Sequence, residues 1–209
     1  VVYYVAGIAH QKETEENDHI YYEVNRDLAC AAAEKAKSDG VGQFVLMSSL
    51  SVYGMTEGVI TRDTEERPTT HYGKSKLQAD RKIQEMADET FHVTIIRPPM
   101  VYGSGCKGNY QRLRSLALKM AVFPKIRNSR SMIFIDNLCD YIEWVIREDI
   151  TGICIPQNTE YVCTSEMVRQ IAEQHGKKVF FIKIPGFLAK AVPIPTVKTV
   201  SYTHLRAHE

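Results

Sequence analysis

The sequence predicts an α/β protein built on a doubly wound parallel sheet, because strand-like and helix-like segments alternate along it. Two apolar runs, at residues 1–6 and 43–48, are continuous rather than alternating, as expected of strands covered on both faces. An alanine-rich stretch at about 25–38 lies between them at helical length, and Gly40 supplies its stop.

The next helix is predicted over about 72–88. Tyr72, Lys76, Ala79, Ile83 and Met86 recur there at spacings of four and three and so share one face. A strand follows at about 92–97 and ends at Pro98-Pro99, since neither proline can donate to a ladder. Further helices are predicted at 109–121, at 137–148 with Asp136 as cap, and at 165–175 with Thr164 or Ser165 as cap and Gly176 as stop. Strands at 152–156 and 179–184 complete the order. Past Pro185 the periodic signals fade, and Val200 to Glu209 shows neither helical nor strand period, so 196–209 reads as a tail foreign to the fold.

Composition narrows the function. A chain of 209 residues with 44% hydrophobic and 24% charged residues has the make-up of a globular domain. Its formal net charge of +1 provides no general attraction for nucleic acid, and no apolar run approaches the length of a membrane span, so neither partner is expected. Five cysteines without a Cys-x-x-Cys pair suit a reducing compartment, and a cytoplasmic location is expected. The seven histidines lack His-Glu-x-x-His spacing, so no metal site is expected.

Chemistry concentrates at Tyr72-Gly73-Lys74-Ser75-Lys76, preceded by the strand ending Phe44-Val45-Leu46-Met47-Ser48-Ser49. A tyrosine and a lysine four apart share a helix face, where the ammonium favours the phenolate over a phenol of unperturbed pKa about 10. A phenolate removes a proton from an alcohol or sugar hydroxyl, and Ser49 at the strand end is placed to bond the same oxygen. Taken alone the pair is weak evidence, since Tyr-x-x-x-Lys arises by chance about once in a chain of this length.

Several motifs in order make it specific. Val2-Tyr3-Tyr4-Val5-Ala6-Gly7, Tyr22-Glu23-Val24-Asn25, Ser48-Ser49-Leu50-Ser51-Val52-Tyr53-Gly54 and the Tyr72 motif are followed by Ile96-Arg97-Pro98-Pro99-Met100-Val101-Tyr102-Gly103 and by Arg130-Ser131-Met132-Ile133-Phe134-Ile135-Asp136-Asn137-Leu138. In this order the chain, over about residues 1–185, resembles the NAD-dependent nucleotide-sugar epimerase/dehydratase family of the extended short-chain dehydrogenase/reductases, typified by UDP-glucose 4-epimerase. The resemblance implies a Rossmann-type sheet of which only the second half is present, spanning 1–99, followed by a small substrate-binding lobe over 100–195 that returns a strand near 152–156. It also implies that the glycine-rich pyrophosphate turn would precede Val1. Gly103-Ser104-Gly105-Cys106-Lys107-Gly108 fits Gly-x-Gly-x-x-Gly, but the basic stretch 123–130 stands where an acidic strand end belongs, so it is not read as that turn.

By the same resemblance Tyr72, Lys76 and Ser49 are the catalytic set. Ala6, Gly7, Asn25, Ser48, Tyr72, Lys76 and Pro99 would line NAD, with NADP left open, and Ser49, Met100, Lys107, Asn109 and Arg130 would meet a UDP-sugar. Family members also suggest a homodimer formed through the 25–38 and Tyr72 helices. Two departures stand out: Met100 replaces an asparagine common in sugar epimerases, with Asn109 as the substitute contact, and Asn137 replaces an aspartate. Leu50-Ser51 occupies the places of a dehydratase Asp-Glu pair, which disfavours dehydration. A 4-epimerase, a 4-ketosugar reductase and a non-catalytic cofactor-binding scaffold remain as readings, and a piece without the pyrophosphate turn is expected to be inactive by itself.

Overall fold

The computed structural model describes residues 1–9, 11, 13–106, 109–126, 128–183 and 199–202. Strand β1 (Val2–Tyr4) leads to helix α1 (Asp18–Tyr22), which continues through a π-helical turn, Glu23–Asp27, into α2 (Leu28–Ser38). Strand β2 (Gln43–Met47), a 3-10 turn (Leu50–Tyr53) and β3 (Glu57–Ile60) precede α3 (His71–Gln84). Then come β4 (His92–Ile96), β5 (Met100–Tyr102), α4 (Asn109–Lys119), β6 (Val122–Pro124) and β7 (Met132–Phe134). Helix α5 (Ile135–Arg147), β8 (Gly152–Cys154), α6 (Thr164–Gln174), β9 (Phe180–Ile182) and β10 (Thr199–Tyr202) close the order.

The main sheet is parallel throughout and runs β1-β2-β4-β8. Its register sets Tyr4 beside Leu46, Leu46 beside Ile95, and Ile96 beside Cys154. Side chains alternate between the two faces of a strand, and here both faces are covered. Phe44, Leu46 and Ile95 pack with Ala29, Ala33 and Ala36 of α2 and Ala79 and Ile83 of α3. Val45 and Ile96 pack on the other side with Leu138, Ile142 and Val145 of α5. That double cover is why β2 reads as an unbroken apolar run, and the alanines of α2 let that helix lie close against the strands.

Beyond residue 100 a second core forms from Leu113 and Ala117 of α4, Phe123, Met132, and Met167, Val168 and Ile171 of α6. The two-stranded pairs β5-β7 and β6-β9, both parallel, frame it. These three-residue strands are too short to show a period in sequence, and none but β9 was expected. Chain from this region returns to the main sheet through α5 and β8.

Several terminal details differ from expectation. Asp136 lies inside the first turn of α5, with Phe134 at the cap position and no side-chain capping bond. Neither Thr164 nor Ser165 caps α6, whose cap position is Cys163. Both hydroxyls are drawn instead to the 126–128 segment: Thr164 Oγ1 accepts from Asn128 Nδ2 at 2.9 Å, and Ser165 Oγ accepts from the Ile126 N–H at 2.7 Å. Helix α3 stops at Gln84, so Met86 packs from the following turn. Thr199–Tyr202, expected to lack structure, pairs in parallel with β3, while the rest of the 196–209 tail lies outside the described residues.

Phe44 is fully buried between Tyr4 and Phe91 at the centre of the sheet. Phe44→Ala is expected to lower the unfolding free energy by about 3–5 kcal/mol, read as a shift of the urea midpoint at unchanged slope.

Candidate active site

The site forms where β2, β4 and α3 end or begin together. Past Met47 the chain leaves the sheet, with the Ser48 N–H bonded to Ile96 O at 2.7 Å and the Leu50 N–H to Pro98 O at 3.3 Å. These bonds hold the serine pair beside the Pro98-Pro99 corner. Ser49 is extended and caps the 3-10 turn, its Oγ accepting from the Ser51 N–H at 3.2 Å and donating to Ser51 Oγ at 3.1 Å.

Helix α3 starts directly against that turn. Thr70 caps it, its Oγ1 accepting from the Gly73 N–H at 3.0 Å. Gly73 permits the approach, because a Cβ there would stand 2.6 Å from the Ser51 carbonyl oxygen. The phenol of Tyr72 consequently stands beside Ser49, whose side chain favours the phenolate. One turn further on, Lys76 is only 4% exposed and donates to the Met47 carbonyl at 2.9 Å.

Electrostatically this differs from the sequence expectation. Burial pushes the Tyr72 phenol above its ordinary pKa, the Ser49 side chain opposes the rise, and Asp80 adds to it. Burial pushes the Lys76 ammonium down, with Asp80 opposing. Lys76 is not among the groups that shift Tyr72. Its head donates to a backbone carbonyl.

Beneath the pair lies a network that the motifs did not reveal. Asp80, fully buried two turns after Tyr72, accepts from Ser48 Oγ at 2.8 Å and from Arg97 Nε at 2.9 Å. Arg97, 1% exposed, also reaches Tyr53 OH at 3.0 Å through Nη1 and Glu66 Oε1 at 2.6 Å through Nη2. Burial pushes the Asp80 carboxyl up, while Arg97 and Ser48 pull it down. The signal was present in the sequence, since Tyr72, Lys76 and Asp80 are spaced by four along one helix face.

A cavity of about 1070 Å³ opens over this floor. Ser48, Ser49, Tyr72, Pro99, Met100 and Arg130 all line it, although the Ser48 hydroxyl is turned towards Asp80. Burial lowers the Arg130 guanidinium pKa. Lys107 and the side chain of Asn109 lie outside the described residues, Asn109 being placed only as the first residue of α4.

Asn25 does not line the cavity. It is fully buried, its Oδ1 accepting from the Ile8 N–H at 2.8 Å and its Nδ2 donating to Ile8 O at 3.1 Å and Ser75 Oγ at 3.2 Å. These bonds clamp the loop after β1 to α3. Ala6 and Gly7, just before that clamp, are exposed. A Cβ on Gly7 would meet Asn25 Oδ1 at 2.8 Å and Lys76 Nζ at 3.2 Å, so a bare backbone faces the ammonium. Met47 O is the hydrogen-bond partner of Lys76 among the described residues, which leaves donor capacity in a three-donor group. Such unspent N–H donors are of the kind that ribose hydroxyls accept.

Among the described residues no group of three or more His, Cys, Asp or Glu could hold a metal ion, and no helix is long and apolar enough to cross a membrane.

A parallel sheet with the Ser49, Tyr72 and Lys76 set at its strand ends defines a Rossmann-type scaffold of the short-chain dehydrogenase/reductase kind. The model of the NAD dependent epimerase/dehydratase family matches residues 1–154, and the chain belongs to that family. It is 31% identical over 198 residues to a UDP-glucose 4-epimerase of Vibrio cholerae, covering 88% of this chain and 60% of the relative. To an N-acetyl-alpha-D-glucosaminyl-diphospho-ditrans,octacis-undecaprenol 4-epimerase of Escherichia coli O157:H7 it is 25% identical, covering 79% and 52%. The chain thus spans little more than half the length of these two relatives. Among solved structures, UDP-glucuronic acid 4-epimerase from Bacillus cereus in complex with NAD superposes with a TM-score of 0.76 at 20% identity, over 98% of this chain and 65% of that one. A dTDP-4-dehydrorhamnose reductase from Clostridium acetobutylicum gives the same score at 18% identity, over 97% and 70%. These two share the fold.

Arg97→Met alone leaves a buried carboxylate without its cation and is expected to destabilise the protein by about 3–5 kcal/mol. The double variant Asp80→Leu/Arg97→Met is expected to lose far less, and urea unfolding of the complete cycle measures the coupling.

Proposed function

We propose that the chain is the catalytic portion of a nucleotide-sugar 4-epimerase acting on a UDP-sugar with NAD. The observation that carries this reading is the juxtaposition of Tyr72 and Ser49 on the cavity floor, with Lys76 one turn away beside the bare backbone of Gly7. The relatives named as 4-epimerases support it.

Tyr72 takes the proton from the sugar hydroxyl at the reacting carbon, and Ser49 holds that oxygen in line with the phenol. Lys76, anchored on Met47 O, turns its remaining N–H groups to the nicotinamide ribose. Bound NAD supplies the hydride acceptor. Pro99 and Met100 form the wall of the cavity, and Arg130 supplies a cation of fixed charge for the substrate diphosphate. The five cysteines are free thiols, which supports a cytoplasmic reaction. Homodimerisation through α2 and α3 belongs to the same reading, and sedimentation equilibrium checks it.

A 4-ketosugar reductase is the second reading, because the same three residues serve it and a reductase shares the fold. Incubating the full-length protein with UDP-glucose or UDP-N-acetylglucosamine and catalytic NAD separates them. An epimerase yields the 4-epimer by NMR without net loss of cofactor, whereas a reductase leaves these sugars unchanged and consumes NADPH with a 4-ketosugar.

Tyr72→Phe is expected to lower kcat by about two to four orders of magnitude with NAD affinity retained. Because burial pushes the phenol up, kcat/KM of the unaltered enzyme should rise about tenfold per pH unit on its acidic limb, as the phenolate fraction grows. A pH–rate profile that stays flat from pH 6 to 9 would contradict a rate set by Tyr72 ionisation.

A further inference from the structure

We propose that Glu13 is a positioning residue for the reaction assigned above: its carboxylate holds the first turn of α3 and, through it, Tyr72. The inference rests on the epimerase reading for its kinetics and on the geometry alone for its structural half.

The first N–H groups of a helix have no partner within it. In α3 the Gly73 N–H goes to Thr70 Oγ1, and the Lys74 N–H makes the first helical bond, to Thr70 O at 2.9 Å. The two remaining donors are claimed from far away in sequence. Glu13 Oε2 accepts from the His71 N–H at 3.0 Å, and Glu13 Oε1 accepts from the Tyr72 N–H at 2.9 Å. A negative charge at this end of a helix is also favoured by the helix dipole.

Glu13 sits on the segment between β1 and α1, which is tied down at three points. Asn25 brackets the Ile8 backbone, Tyr21 OH donates to Gln11 O at 3.2 Å, and Glu13 grips α3. Gln11 and Glu13 line the cavity, and the Tyr21 ring meets Tyr72 edge-on with centroids 6.4 Å apart. The segment therefore roofs the catalytic tyrosine, and the carboxylate joins roof to floor. Without it, the Tyr72 backbone loses the bond that sets where its phenol meets Ser49, and misplacement by about 1 Å costs up to about a hundredfold in rate.

The test uses the full-length protein with UDP-glucose and NAD. Glu13→Ala is expected to lower kcat about tenfold to a hundredfold with KM changed less than about threefold. Glu13→Gln should recover part of the loss, because its amide oxygen still accepts one of the two N–H bonds. On a Tyr72→Phe background, Glu13→Ala should leave the residual rate unchanged, as nothing remains to position. An unchanged kcat, or an equal fold-loss on both backgrounds, would overturn the proposal. If the unaltered enzyme turns over no UDP-sugar, the functional reading fails separately. The Tyr72 ring resonance of ring-labelled tyrosine, identified by its loss in Tyr72→Phe, then decides: a shift in Glu13→Ala supports the positioning role, and an unmoved signal sinks it.

Discussion

The buried ion pair between Asp80 and Arg97 is the constraint on which the rest of the site depends. Taking two charges out of water costs several kcal/mol per ion, recovered only when geometry and further hydrogen bonds are good. Here Ser48, Tyr53 and Glu66 add contacts to the pair, while Asp80 Oδ1 has no hydrogen-bond partner among the described residues. The pair therefore does more than neutralise itself. Arg97 stands one residue past the end of β4, Ser48 one past the end of β2, and Asp80 in the middle of α3, so a single carboxylate ties both strand ends to the helix. Ser49 and the Pro98-Pro99 corner inherit their relative positions from that tie, as do Tyr72 and Lys76.

The same carboxylate sets the electrical state of the helix face above it. Asp80 opposes ionisation of Tyr72 and favours the charged form of Lys76. Burial opposes the charged form of both side chains, and Met47 O holds the Lys76 head in place. These surroundings disfavour the phenolate, and a bound ligand that brings positive charge would favour it. That fits a family whose proton transfer is coupled to redox chemistry, since a phenolate formed without a hydride acceptor nearby would accomplish nothing.

How much of this was legible in sequence depended on whether the signal was local. The alternation of strand and helix, the doubly buried β2 and the Tyr72 to Lys76 face all follow from periodicity within one element, and each stands where it was read. Asp80 was legible in principle as the next step of the same four-residue row. Glu13 was not, because one acid in a polar loop carries no period and its partner lies 58 residues away. Asn25 was singled out by its motif, but its contacts were not legible: the π-helical turn around it presents both polar ends of its amide to the loop and to Ser75. The caps failed for a related reason. Thr164 and Ser165 satisfy a neighbouring segment instead of their own helix, a tertiary demand that outweighs local preference.

Asn25 and Glu13 flank one stretch of chain and act on one helix from opposite sides. Asn25 joins the backbone at Ile8 to Ser75 on α3, and Glu13 joins the roof segment to the α3 amino terminus. Gly7, whose bare backbone faces Lys76, stands just before the first clamp, and Gln11, which lines the cavity, stands between the two. In the proposed reaction hydride and proton leave the same carbon and its oxygen together, so the surface that would receive the cofactor and the residue that receives the proton have to keep close register. Placing both clamps on the chain that connects those two surfaces gives that register a physical origin. It also explains why Ile8, Gln11 and Glu13, on the loop after β1, are each bonded to a helix that follows.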